Sequence, residues 1–219
     1  MSVIKLDKNV IRFPAPELAQ ENGLLAEGED FTVKRLMLAY TNGIFPWKEK
    51  EGPYQWWCPK ERFIICPDEI RISGPINDYI KEHEINFRVD RDFADTVRRC
   101  RENPENNEGS CITGKMERAY YGMFKKELAL SIEAFTDGEV SGGMYGACLG
   151  KCFFAEGMFS EKEYGAKLAL IMLSRLLKIN SFLMIDCKFP TETMESMGGK
   201  KISWDEYKVL LNKGLGNTR

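Results

Sequence analysis

The 219 residues are 43% hydrophobic and 29% charged, an ordinary globular composition able to bury one large domain or two small ones. A net charge of −2 and a pI near 5.7 exclude a strong overall field for nucleic acid, so such a partner must meet a local basic cluster. Seven cysteines with no CxxC spacing and a single histidine exclude the common zinc frameworks, and free thiols suit a reducing compartment. MSVIKLDKNV has no apolar core of signal-peptide length and no run approaches a membrane span, so a cytoplasmic monomer with no membrane partner is expected.

Residues 1–30 read as a loop-rich lead-in, with turn signals at Asn22-Gly23 and Gly28. FTVKRLMLAY, from Phe31 to Tyr40, has helical apolar spacing, with Thr32 as N-cap and Asn42-Gly43 as the stop. Pro46, Pro53 and Pro59 then break regular structure, which places Trp47, Trp56 and Trp57 on or near loops. Arg62 to Pro67 reads as a strand, and residues 68–90 as strand, short helix and strand. Asp90 is expected to cap a helix through Arg101 that carries Phe93, Val97 and Cys100 inward. A surface loop over 102–110 leads to a second helix, Lys115 to Glu127.

The most ordered pattern follows. In ELALSIEAF, Leu128, Leu130, Ile132 and Ala134 share one face, while Ser131, Glu133 and Phe135 share the other. Thr136-Asp137-Gly138-Glu139 is a hairpin turn, and Gly150-Lys151 a second one. A crossover helix over 166–178 precedes SFLMIDC, an apolar strand expected to lie centrally with both faces covered. Two carboxylates stand out because they sit at strand ends among apolar neighbours, Glu156 after the third strand and Asp186 in the last. Each needs a function or a buried partner such as Lys188 or Lys167. Glu133 reads as a surface or sheet-edge charge, His83 as solvated, and Arg98, Arg99 and Arg101 as a wet helix face.

Antiparallel strands, a helix and an adjacent strand follow the core order of the GCN5-related acyltransferase fold. FPAPELAQENGLLAEGED, RLMLAYTNGIFPW, WWCPKERFII, SIEAFTDGEVSGGMYGACLGKCFFAEGMFS and IDCK together resemble the leucyl/phenylalanyl-tRNA–protein transferase family, in order over nearly the whole chain. The resemblance implies an α+β protein. A small N-terminal domain, residues 1–65, would pack on an acyltransferase-like (GNAT-like) domain with a mixed, mostly antiparallel sheet, residues 66–219. It implies transfer of leucine, phenylalanine or methionine from the 3′ end of aminoacyl-tRNA to the N-terminal α-amine of an acceptor protein or peptide, which marks that protein for degradation.

Carried over by motif, Trp47 would stack on the terminal adenosine, and Met144, Phe153, Met158, Leu170 and Ile185 would line the apolar side-chain pocket. Glu156 would help hold the acceptor, and Asp186 would belong to the catalytic pair with position 188. On composition alone the pocket residues are equally at home in a core. Ester-to-amide transfer is downhill, so no cofactor and no metal is expected.

The sequence departs from the family pattern at Lys188, where D-C-Q reads Asp186-Cys187-Lys188. A glutamine carbonyl accepts a hydrogen bond, whereas an ammonium only donates. Gly157 stands in place of a serine, Cys111 of a tryptophan, Leu130 of a histidine, and Tyr164-Gly165-Ala166-Lys167 replaces N-A-S-K. Three readings stay open on the residues: a transferase with shifted acceptor preference, an acyltransferase with another donor, or a silent tRNA- or peptide-binding homologue.

Overall fold

The computed structural model describes residues 3–49, 51–103 and 111–216. Its first strands are β1 (Ile4–Lys5) and β2 (Leu24–Gly28), followed by α1 (Val33–Thr41), β3 (Phe45–Trp47) and β4 (Tyr54–Trp57). Thr32 caps α1 as expected, its hydroxyl accepting from the Arg35 N–H at 3.2 Å. The strands form a small sheet in the order β1-β2-β4-β3. The N-terminal lead-in and the tryptophan segment are therefore partly strand. Trp47 ends β3, and Trp56 and Trp57 end β4. Pro46 is tolerated because β3 is an edge strand. Buried Arg35 ties down the N-terminal arm: its guanidinium donates to the Asp30 carboxylate and to the carbonyls of Asp7, Val10 and Arg12.

The remaining elements are β5 (Glu61–Ile65), α2 (Gly74–Glu82), β6 (Ile85–Val89), α3 (Phe93–Glu102), α4 (Gly114–Phe124), β7 (Ala129–Thr136), β8 (Glu139–Leu149), β9 (Cys152–Ser160), α5 (Gly165–Ile179), β10 (Met184–Lys188), α6 (Glu192–Ser196), β11 (Lys200–Ser203) and α7 (Trp204–Gly214). Seven strands form one mixed sheet in the order β11-β5-β10-β9-β8-β7-β6, in which β9 and β10 run parallel through the α5 crossover. β10 is central, as expected of its apolar sequence. β5 belongs to this large sheet, so a boundary at residue 65 falls at the end of one of its strands.

Several local expectations are corrected. Asp92, not Asp90, caps α3, while Asp90 adopts a left-handed conformation and accepts the Ser131 N–H. A 3-10 turn at Pro67–Glu69 replaces the strand expected before α2. The loop read at 102–110 lies, from residue 104 on, outside the described residues. Glu133 is buried, with one carboxylate oxygen accepting from Thr96 at 3.1 Å. Burial pushes its carboxyl above the usual range. His83 is half-buried and meets Asp137 at 2.7 Å. Arg98, Arg99 and Arg101 are each paired with helix-face or neighbouring carboxylates.

The large sheet separates two apolar layers, and strand alternation distributes its residues between them. Tyr145 and Phe154 point into a core shared with α1, α4 and the small sheet, among them Leu36, Tyr40, Trp56 and Tyr120. Their neighbours Met144 and Phe153 point the other way, onto α5 residues Leu168, Leu170 and Leu173. Each fully buried side chain of this kind stabilises the fold by about 1.5–3 kcal/mol. The helix approaches the sheet backbone to backbone: a Cβ on Gly165 would lie 1.7 Å from the Ser141 carbonyl oxygen. No helix among the described residues is long and apolar enough to cross a membrane.

Candidate active site

Glu156 is not at a strand end but inside β9, at a bulge. Tyr145 of β8 pairs with Gly157, and Gly146 pairs with Ala155, which leaves Glu156 as the extra residue. The bulge turns its carboxylate toward α1 and α4. Oε1 accepts from the Tyr40 hydroxyl at 2.7 Å, and Oε2 accepts from the Tyr120 hydroxyl and from Lys188 Nζ, the latter at 2.7 Å. The Glu156 side chain is 2% exposed and that of Lys188 is 9%. Burial first, and the Glu156 charge second, raise both tyrosine hydroxyls well above their ordinary value, which keeps them neutral donors.

Lys188 ends β10 in a left-handed conformation, φ +66°. The pairing with β5 passes from Asp186↔Ile64 to Lys188↔Phe63, skipping Cys187. Asp186, fully buried, holds this turn by accepting the Lys188 backbone N–H at 2.9 Å. Its partner is neither Lys188 Nζ nor Lys167 but Arg62, which donates through Nε at 2.9 Å to Oδ1 and through Nη2 at 2.7 Å to Oδ2. The Tyr207 hydroxyl adds a third donor at 2.7 Å. The guanidinium lies over the Phe45 ring at 4.3 Å and the Tyr207 ring at 4.6 Å. Burial opposes its charge, but the Asp186 charge, Tyr207 and the hydrogen bonds to Asp186 together hold Arg62 above its ordinary range. After Lys188, Phe189 packs edge-on against Phe45, Trp47 and Trp57 at 5.2, 5.6 and 5.7 Å.

A cavity of about 240 Å³ adjoins the Glu156–Lys188 pair. Its apolar wall includes Trp47, Met116, Met144, Met158 and Met194, and Thr191 and Arg101 add polar edges. Of the residues singled out from sequence, the fold thus brings Trp47, Met144, Met158, Glu156 and Lys188 together around one space. Phe153, Leu170 and Ile185 are 0% exposed and stand behind Met144 in the apolar layer, outside the cavity lining. Asp186 is likewise one layer back. Gly157 is also explained: a Cβ there would meet Tyr145 Cε1 at 2.8 Å and Cys100 Cβ at 3.1 Å, so a serine needs a different neighbourhood. Cys187 also lines the cavity, and burial first and the Asp186 charge second push its thiol up, which disfavours the thiolate.

Tyr40, Tyr120 and Tyr207 were not singled out. Each sits at apolar helical spacing, where a tyrosine reads as core, and only its hydroxyl betrays a second duty. Arg62 is signalled by a cation among the apolar residues of RFII. Among the described residues no group of three or more His, Cys, Asp or Glu is placed to hold a metal ion.

The structure thus places a Met-walled recess beside a buried carboxylate–ammonium pair on a mixed α/β scaffold. Residues 64–212 match the family described as "Leucyl/phenylalanyl-tRNA protein transferase", and residues 29–60 match that family's N-terminal domain. The leucyl/phenylalanyl-tRNA–protein transferase of Syntrophus aciditrophicus (strain SB) is 39% identical over 98% of this chain and 90% of its own. That of Syntrophobacter fumaroxidans (strain DSM 10017 / MPOB) is 37% identical over 98% and 92%. Among solved structures, L-PGS from Bacillus licheniformis aligns at TM-score 0.43 and 14% identity, over 88% of this chain and 72% of that one, too distant a likeness to assign a fold. The chain belongs to the leucyl/phenylalanyl-tRNA–protein transferase family, enzymes that carry an aminoacyl group from tRNA to the N-terminus of a protein.

Proposed function

We propose that this chain transfers leucine, phenylalanine or methionine from aminoacyl-tRNA to the α-amine of an acceptor protein or peptide, with the reaction centred on the Glu156–Lys188 pair. The observation that carries this reading is the single cavity that unites the methionine wall, Trp47 and the pair. Methionines adapt to leucyl, phenylalanyl or methionyl side chains alike, because their thioethers are flexible and polarizable. Trp47, on the cavity edge, serves the terminal adenine as a stacking surface. The antiparallel β7-β8-β9, the α5 crossover and parallel β10 support a GNAT-like core, with the small sheet and α1 as an N-terminal unit that ends before β5.

The chemistry follows from the donors present. A neutral α-amine, whose ordinary pKa is about 7.7–8.0, attacks the ester carbonyl. A carbon–nitrogen bond forms, the ester carbon–oxygen bond breaks, and the ribose oxygen leaves with a proton. The Lys188 ammonium donates to the oxyanion, and Glu156 relays the amine proton toward the leaving oxygen. Asp186 acts behind them on the conformation of position 188.

Because Lys188 already compensates Glu156, an acceptor with a basic first side chain meets a cation there, and the one carboxylate among the described cavity residues is already paired. The test supplies leucyl-, phenylalanyl- and methionyl-tRNA with peptides beginning in Arg, Asp or an uncharged residue, for wild type and Lys188→Gln. Transfer from these tRNAs is expected, with Arg-starting peptides the poorer acceptors in wild type and improved in the variant. Absence of transfer from all three tRNAs overturns the activity. Equal or better wild-type transfer to the Arg-starting peptide overturns the acceptor preference.

A further inference from the structure

We propose that Arg62 is a positioning residue for Lys188, acting through the Asp186 carboxylate, with Tyr207 and Phe45 as its frame. This inference rests on the reading of the Glu156–Lys188 pair given above. Two unfavourable features meet at this point of the sheet. A buried ion pair gains little or nothing over apolar residues of the same size, because both charges lose their hydration. Arg62 Nη1 moreover has no hydrogen-bond partner among the described residues. Lys188, a residue with a Cβ, is held at φ +66°, which costs on the order of 1–3 kcal/mol unless the surroundings fix it.

One geometry joins the two. Asp186 Oδ1 receives both Arg62 Nε at 2.9 Å and the Lys188 backbone N–H at 2.9 Å. The carboxylate therefore takes a place that a ladder carbonyl would hold in a regular strand, and the skipped Cys187 marks where the ladder is interrupted. The guanidinium is a planar fork that fits the carboxylate on one edge and two aromatic rings on its faces, so it sets the carboxylate plane more tightly than an ammonium can. On the other side of Lys188, Phe189 is wedged among Phe45, Trp47 and Trp57. Held before and after, the Lys188 backbone takes its left-handed conformation, from which Nζ reaches Glu156 Oε2 at 2.7 Å. Arg62 touches no cavity space itself. Its effect on transfer runs through where Lys188 points.

The test is a double-mutant cycle on transfer kinetics. Arg62→Met is expected to lower kcat by about tenfold or more, since sub-ångström misplacement of a reacting group has effects of that size, while KM for aminoacyl-tRNA holds within about twofold. In a Lys188→Ala background the same change is expected to alter kcat by no more than about twofold, because the residue it positions is gone. Arg62→Met/Asp186→Asn, which removes both charges but keeps an oxygen for the Lys188 N–H, is expected to recover part of the lost kcat. Should Arg62→Met fail to fold, Tyr207→Phe takes its place in the cycle: it deletes one donor to Asp186, leaves the ring over Arg62, and gives a smaller loss that again vanishes in Lys188→Ala. Full additivity with an impaired Lys188→Ala overturns the inference alone. Wild-type transfer by Lys188→Ala overturns the reading of the pair and the inference together.

Discussion

Replacing Lys188 by methionine keeps the length and packing of the stem but deletes the charge that faces Glu156. The pair is 2.7 Å apart, with side chains 9% and 2% exposed, so water screens it little. Breaking a fully buried pair costs about 3–5 kcal/mol, mostly through the charge left behind. Here the stranded carboxylate keeps two tyrosine donors, Tyr40 and Tyr120, so the loss is closer to that of one charged hydrogen bond, about 2 kcal/mol. For a chain of this size that amounts to a fall in Tm of about 4–8 °C. Thermal unfolding at pH 7, followed by circular dichroism, measures it directly. The double variant Glu156→Gln/Lys188→Met has no stranded charge and is expected to regain most of the loss. A Lys188→Met protein as stable as wild type, or more so, refutes the view that Lys188 compensates an ionised Glu156.

Glu133 offers a pH test. Burial raises its carboxyl in the folded state, and its second oxygen has no partner among the described residues. The folded protein therefore binds this proton more tightly than the unfolded chain does, and stability falls as pH rises from about 4.3, the ordinary carboxylate value, through the raised one. Glu133→Gln is expected to lack that decline and to match or exceed wild-type stability at pH 7; an unchanged profile in denaturant titrations across pH refutes it. Gly165→Ala places a Cβ 1.7 Å from the Ser141 oxygen and is expected to cost at least about 3 kcal/mol. A wild-type Tm for that variant contradicts the close packing of α5 on β8. Trp47→Ala is expected to weaken binding of the aminoacyl-tRNA 3′ end by about 1–3 kcal/mol, read as a rise in Kd by fluorescence titration, with unchanged affinity counting against the stacking role.

The β7-β8-β9-α5-β10 run was legible because its signals are local. Asp137-Gly138 supplies positive φ at both turn residues, and Thr32 caps α1 within its own first turn. The small sheet was not legible, since strands of only two to five residues gain their identity from pairing. The site was half visible. Glu156 and Asp186 stood out as carboxylates among apolar residues, but alternation along β9 cannot reveal a bulge. Nor can it show that Asp186 answers to Arg62, 124 positions earlier. The buried Glu133 was misread for a related reason: β7 is covered on both faces, and the covering helix α3 lies far back in the chain.

The carboxylate of Glu156 draws its donors from α1, α4 and β10, and the clamp behind it adds β5 and α7. Residues from Tyr40 to Tyr207 are needed at one point, with no contiguous piece sufficient. During synthesis, as the chain leaves the ribosome from its N-terminus, Tyr207 is among the last contributors to emerge. The centre is therefore completed only when the chain through Tyr207 is available to fold.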